Sequence, residues 1–165
     1  MPSRRDIAPC LWFDTQAEEA ANHYVSIFED SKIESISRYG AEGFEIHRKP
    51  AGAVMTVSFR LRGQLYTALN GGPQFKFNEA ISLQVFCESQ QEVDDFWQKL
   101  IAGGGSPGPC GWLKDKFGLS WQVIPLRLMQ MLVDTDAAKA GRVTAAYLQM
   151  QKFDIAALER AYAGR

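Results

Sequence analysis

Residues 81–105, ISLQVFCESQQEVDDFWQKLIAGGG, decide the fold. The stretch opens as an alternating strand, with Ile81, Leu83, Val85 and Cys87 on one face and Ser82, Gln84 and Phe86 on the other. Ser89-Gln90-Gln91-Glu92 follows, a serine three residues ahead of a glutamate. In such a capping box the hydroxyl accepts from an unpaired backbone N–H while the carboxylate reaches back. Val93, Phe96, Trp97, Leu100 and Ile101 then supply an apolar stripe at helical spacing. Gly103-Gly104-Gly105 stops the helix.

The same order of signals stands earlier in the chain. Ile7 to Phe13 is a short apolar run ending at Asp14 and reads as a buried strand. Thr15-Gln16-Ala17-Glu18 is the matching capping box, and Ala17, Ala20, Ala21, Tyr24 and Phe28 make the helical stripe. Strand-rich sequence follows each helix: Lys32 to Tyr39, Ala53 to Leu61 and Gln64 to Leu69 in the first half, with Gly63 between the last two. In the second half, Gly111 to Lys114 and Leu119 to Ile124 flank the turn Asp115-Lys116-Phe117-Gly118. A strand–helix–strand–strand–strand unit is therefore written twice, the second copy with less sequence between its helix and its hairpin.

Past Pro125 the pattern turns helical. Ala140, Val143, Tyr147 and Met150 recur at one spacing, Ile155, Leu158 and Tyr162 at another, with a break at Gln151 to Phe153. Two amphipathic helices are expected, their stripes buried against the sheets or a partner subunit. The expected class is α+β in one domain: module one over about 5–75, module two over about 79–126, and a helical tail over 127–165.

At 165 residues, 46% hydrophobic and 22% charged, the chain has globular composition. A formal net charge of −1 gives no electrostatic reason to expect a nucleic acid or a membrane surface as partner. His47-Arg48-Lys49 reads as a solvated loop patch. Met1 to Asp6 lacks the apolar core of a signal peptide, and no apolar stretch is long enough to span a bilayer. Cys10, Cys87 and Cys110 have no metal-binding spacing and read as free thiols, so a cytoplasmic location is expected.

Cys110 to Val123, CGWLKDKFGLSWQV, resembles the signature hairpin of PhnB-like proteins, many of which carry the name 3-demethylubiquinone-9 3-methyltransferase. Gln64 to Phe77, Glu79 to Cys87 and Gln151 to Leu158 are similar to the same family, a branch of the vicinal oxygen chelate superfamily. The resemblance implies tandem βαβββ modules curled into glyoxalase-like half-barrel sheets, often assembled as homodimers. It also implies that ligands or metals sit against the concave faces.

Glyoxalases and extradiol dioxygenases of that superfamily hold a divalent metal with His and Glu from the first and last strands of each module. Carried onto this chain, those positions fall near Ala8 or Pro9, near Ser82, near Ala68 or Asn70, and at Gln122. None is His, Glu or Asp, and neutral amide oxygens are poor sole ligands. No metal and no other cofactor is therefore expected. His23 reads as a packed or surface residue, while His47 lies in a loop that could fold over a cavity.

Methyl transfer from S-adenosylmethionine usually relies on a glycine-rich loop from a strand into a helix. Here Gly103 to Gly105, Gly108 and Gly111 come after a helix. Cys10 lacks a histidine placed to activate it, and Asp115 reads as a turn cap before an acid. What remains is a cavity of apolar and neutral polar groups: Trp12, Asn70, Ser82, Gln84, Phe86, Ser120 and Gln122. That lining suits a small neutral or aromatic ligand. Three readings stay open: a metal-independent binding protein, an enzyme (the labelled methyltransferase or a metal-dependent lyase or oxygenase), and a non-catalytic assembly module.

Overall fold

The structure, a computed structural model, describes residues 7–165. The Met1 to Asp6 segment read above lies outside the described residues. The chain divides into two compact units, one ending at Phe77 and the other beginning at Asn78.

The first unit runs β1 (Cys10–Phe13), α1 (Ala17–Ile27), β2 (Lys32–Arg38), α2 (Phe44–His47), β3 (Val54–Leu61) and β4 (Gln64–Asn70). Its sheet has the order β1-β4-β3-β2. The first and last strands pair in parallel, Cys10 with Thr67 and Phe13 with Asn70. The rest is antiparallel, and β3 turns into β4 through Arg62 and Gly63, both at positive φ (46° and 84°). That is the backbone a two-residue hairpin needs, and glycine adopts it freely. α1 lies on one face of the sheet and buries Ala17, Ala20, Ala21 and Tyr24 against Val57, Phe59 and Ala68. Small residues on the helix let it approach closely, and Tyr24 fills the remaining space beside the Phe59 ring, 6.3 Å away.

Two expectations for this half need correction. β1 begins at Cys10, and Ile7 is 94% exposed. The Thr15 capping box does not form: Gln16 occupies the N-cap without a side-chain bond, and Asn70 Oδ1 accepts from the Ala17 N–H at 2.8 Å. A residue at the end of β4 thus caps the helix from across the unit. Asn70 Nδ2 also donates to the Val54 carbonyl at 3.1 Å, so both ends of its amide are used. Asn70→Ala is expected to cost about 2 kcal/mol, combining a lost cap with a stranded carbonyl. Asn70→Asp, which keeps the acceptor, should recover part of it in denaturant melts. Equal stability of Asn70→Ala and the parent would contradict the capping role.

The second unit repeats the arrangement with β5 (Ser82–Cys87), α3 (Gln90–Ile101), β6 (Ser106–Pro107), β7 (Trp112–Lys114) and β8 (Ser120–Pro125). Its sheet order is β5-β8-β7-β6, again with the first and last strands parallel. β6 is two residues long, which matches the short interval between helix and hairpin. Here the serine half of the capping box forms: Glu92 N–H donates to Ser89 Oγ at 3.2 Å, while Glu92 Oε2 reaches one residue past the N-cap and accepts from the Glu88 N–H at 2.6 Å. Val93, Phe96, Trp97 and Leu100 are buried on the helix, facing a sheet side that carries Val85, Cys87, Leu113, Trp121 and Val123. Ile81, expected to extend that row, precedes the strand and is 72% exposed.

The tail contains three helices where two were expected: α4 (Leu126–Leu132), α5 (Ala137–Tyr147) and α6 (Ile155–Ala163). Asp136 and Asp154 cap the last two by accepting from Ala138, Lys139 and Ala157 N–H groups. The stripes close on one another, with Leu128, Met131, Val143, Phe153 and Leu158 forming a single buried cluster. Arg127 Nε donates to Glu159 Oε1 at 2.6 Å, and Tyr162 Oη donates to Asp134 Oδ2. Two backbone bonds fasten the tail to the lead of β7: Cys110 N–H to the Met150 carbonyl and Gly111 N–H to the Gln151 carbonyl, both at 2.7 Å. None of the described helices is long and apolar enough to cross a membrane.

Candidate functional site

Alternation along β5 and β8 sorts their side chains between two faces. The register pairs Ser82 with Ser120, Gln84 with Gln122 and Phe86 with Ile124, while Trp112 and Lys114 stand opposite Gln122 and Ser120 on β7. Paired residues share a face, so all these side chains lie on the side away from α3. The result is a line of polar groups beside the apolar Phe86, Trp112 and Ile124, with Lys114 opposite Ser120 at one end. Gln122 Nε2 donates to Ser82 Oγ at 2.7 Å, and Gln84 Nε2 lies 3.5 Å from Gln122 Oε1. Gln84 Oε1 makes no bond within that chain, so it stays open to a donor.

The tail gives this face walls. A cavity of about 330 Å³ is lined by Gln84, Trp112, Gln122 and Ile124 from the strands and by Met129 and Tyr147 from α4 and α5. Tail residues in this role were not foreseen: the helical stripes signalled burial, but no local pattern says which surface they meet. Phe86 stands on the same face beside Ile124 and is 42% exposed. Ser120 is buried on that face and its Oγ has no hydrogen-bond partner.

Trp12 and Asn70 belong to the first unit, and the structure puts them on opposite faces of its sheet, since Trp12 pairs with Leu69 and Phe13 with Asn70. Asn70 faces α1 and is engaged in capping, as described. Trp12 takes the open face, where Nε1 donates to the Gly72 carbonyl at 2.8 Å and Phe75 meets its ring edge-on at 5.0 Å. The backbone passes so close that a Cβ at Gly71 would stand 2.2 Å from the indole. The Trp12 ring is thus covered by the chain that follows β4.

The remaining candidates have structural occupations. His47 stacks on Tyr39 with ring centroids 4.5 Å apart. Its Nδ1 accepts from the Lys49 N–H at 3.0 Å and its Nε2 donates to the Glu42 carbonyl at 3.0 Å. Cys10 lies on the Trp12 face, and partial burial pushes its thiol pKa above the ordinary value, which lowers the thiolate fraction at neutral pH. Asp115 is buried and accepts from the Phe117 and Leu119 N–H groups and from Trp121 Nε1, at 2.9, 3.0 and 2.8 Å. It holds the hairpin together and offers no free oxygen pair to a substrate in these contacts.

The superfamily's divalent metal can be tested against this donor set. The two positions that would carry ligands in the second unit, Ser82 and Gln122, are neutral and bonded to each other. Among the described residues no three of His, Cys, Asp or Glu stand together as a metal group. The donors at Ser82 and Gln122 therefore do not fit the metal that the fold family implies.

Two βαβββ units, each closed by its parallel first and last strands, define a protein of the vicinal oxygen chelate type. The 3-demethylubiquinone-9 3-methyltransferase family matches residues 5–124, and the chain belongs to it, within the PhnB-like branch of that superfamily. A PhnB protein of Bacillus cereus is 35% identical over 73% of this chain and 99% of its own, with a TM-score of 0.63. Protein PA1353 of Pseudomonas aeruginosa shares the fold at 20% identity, a TM-score of 0.58, and coverage of 73% and 96%. Among curated proteins none matches. The family match stops within β8, so the tail helices that wall the cavity lie beyond it.

Proposed function

We propose that the chain is a metal-independent small-molecule-binding protein whose site is the face of the second sheet away from α3. The observation that carries this reading is the Ser82–Gln122–Gln84 chain of neutral groups, in which Ser82 and Gln122 stand at the superfamily's ligand positions and the two glutamines line a cavity with largely apolar walls. Amide donors and acceptors between Trp112, Ile124 and Met129 suit a neutral, flat molecule that exchanges hydrogen bonds with an amide. Gln122 is held by Ser82 and so presents its oxygen in a fixed direction, which reduces the entropy lost on binding. The methyltransferase description belongs to the family. In this chain the glycine run at Gly103 to Gly105 follows α3 and does not supply the strand-to-helix loop that usually holds S-adenosylmethionine.

The reading extends to a cytoplasmic homodimer. Three free cysteines suit a reducing compartment. Leu126, Met129, Val133 and Leu148 leave apolar surface exposed on the tail of the single chain. Sedimentation as a monomer at micromolar concentration would remove the dimer.

The test uses chelator-treated protein titrated with nicotinamide, a flat neutral amide, and read by backbone and side-chain amide NMR. Shifts should centre on Gln84, Trp112 and Gln122, and Gln122→Ala should weaken binding about five- to tenfold. Stoichiometric Zn²⁺ or Mn²⁺ binding in calorimetry, abolished by Gln122→Ala, would overturn the metal-independent reading and favour an enzyme.

A further inference from the structure

Trp112 also lines a second cavity, of about 410 Å³, which opens between the β6–β7 edge and the segment before β5. Its walls are largely apolar, with Pro107, Pro109, Trp112 and Leu113 among the residues that line it. Two kinds of polar group reach it. Lys114 and Glu79 form an ion pair, with their side chains 41% and 62% exposed. Ser120 is 1% exposed, and its Oγ is buried without a hydrogen-bond partner.

The orphaned hydroxyl is the informative feature. A buried hydroxyl without a partner destabilises the fold, and an alanine would fill the same position on β8 without that penalty. Ser120 lies directly opposite Lys114 in the antiparallel register, with both side chains on the cavity side. Opposed Cβ atoms sit about 5 Å apart, and the lysine chain carries its ammonium further out toward the mouth. The lining thus includes an unused hydroxyl and a cation from neighbouring strands, with Trp112, Pro107 and Pro109 supplying apolar surface.

We infer that this cavity binds a small aromatic acid carrying a phenolic or carbonyl oxygen. The ring lies against Trp112 between the two prolines, and its oxygen takes up the free valence of Ser120 Oγ. The ligand carboxylate replaces Glu79 as the partner of Lys114. That exchange costs little, because an exposed ion pair contributes little to stability and Glu79 remains free to be solvated. The site shares Trp112 with the amide cavity, but its polar groups, Ser120 and Lys114, are not among those lining that cavity, and it does not depend on that reading.

Full-length protein is titrated by calorimetry with 3-hydroxybenzoate, benzoate and phenol. Binding of 3-hydroxybenzoate should exceed that of benzoate, which lacks the oxygen for Ser120, and of phenol, which lacks the carboxylate for Lys114. Ser120→Ala should weaken 3-hydroxybenzoate about three- to tenfold and bring it level with benzoate. Lys114→Gln should weaken both acids, and Glu79→Gln should strengthen both by freeing the ammonium. Ser120→Ala should also melt no lower than the parent, since it removes an unsatisfied group. Unchanged affinity in Ser120→Ala, a lowered melting temperature in that variant, or no 3-hydroxybenzoate binding in the millimolar range would each overturn the assignment.

Discussion

Asp115→Ala is expected to cost about 4 kcal/mol, a large share of the 5–15 kcal/mol that holds an ordinary domain together. Asp115 has a single buried carboxyl group that collects three donors, two from the turn backbone and one from the Trp121 indole. Removing it takes the Asp115 acceptor away from the buried Leu119 N–H and Trp121 Nε1, and a buried donor that loses its acceptor costs about 1–3 kcal/mol. No water-exposed route compensates, because Trp121 is 2% exposed and Leu119 is also in the core. In urea the midpoint should fall while the slope of the transition stays the same, since the unfolded state exposes the same surface. Asp115→Asn keeps one oxygen but turns an NH₂ toward donors, so it should fall between the two. A loss below about 1 kcal/mol for Asp115→Ala would mean that the hairpin does not rely on this carboxyl group.

Phe153→Ala should come close behind, at about 3–5 kcal/mol, but with a different distribution over the molecule. Phe153, in the tail cluster, also reaches back to the hairpin lead, where a Cβ on Gly111 would stand 2.3 Å from it. Tyr147 meets it edge-on at 6.3 Å. Gln90, at the start of α3, clasps the same spot, donating to the Phe153 carbonyl and accepting from the Ile155 N–H at 3.0 and 2.8 Å. Truncating the ring empties the centre of the tail while leaving the cover of α3 on its sheet untouched. Amide exchange should therefore quicken in α4 to α6 well before it quickens in β5 and β8. Uniform acceleration throughout the unit would show that the tail and sheet unfold together.

Sequence periodicity carried most of the architecture because its signals are local. Hydrophobic alternation and the Ser89–Glu92 spacing involve neighbours in the chain, and the α3 cap forms as that spacing implies. The Thr15–Glu18 spacing is the same, yet the α1 cap is made by Asn70, a partner far away in sequence whose arrival no local pattern announces. The same long reach separates Asn70 from Trp12: one parity step at the end of β4 decides which face a side chain takes. α4 was missed because Leu126 to Leu132 is a short apolar run after a proline, and a helix and a strand read alike at that length. The face of Ser82, Gln84 and Phe86 follows from alternation alone, whereas its pairing with Ser120 and Gln122 required the register of a parallel pair. Walls supplied by Met129 and Tyr147 could only come from tertiary packing.

Pairing of the first strand with the last also governs how the chain comes off the ribosome. In each unit the strand made earliest waits for the one made latest: Cys10 to Phe13 has no neighbour until β4 emerges, and Ser82 to Cys87 none until β8 does. The β2–β3–β4 hairpins close locally and fast, while the parallel pair must bear the cost of a long loop. A nascent chain halted before residue 64 therefore displays CLWF as a bare apolar edge, open to any other extended segment nearby. Translation speed through β3 and β4 sets how long that edge stays exposed, and slow codons there would raise the demand for chaperones.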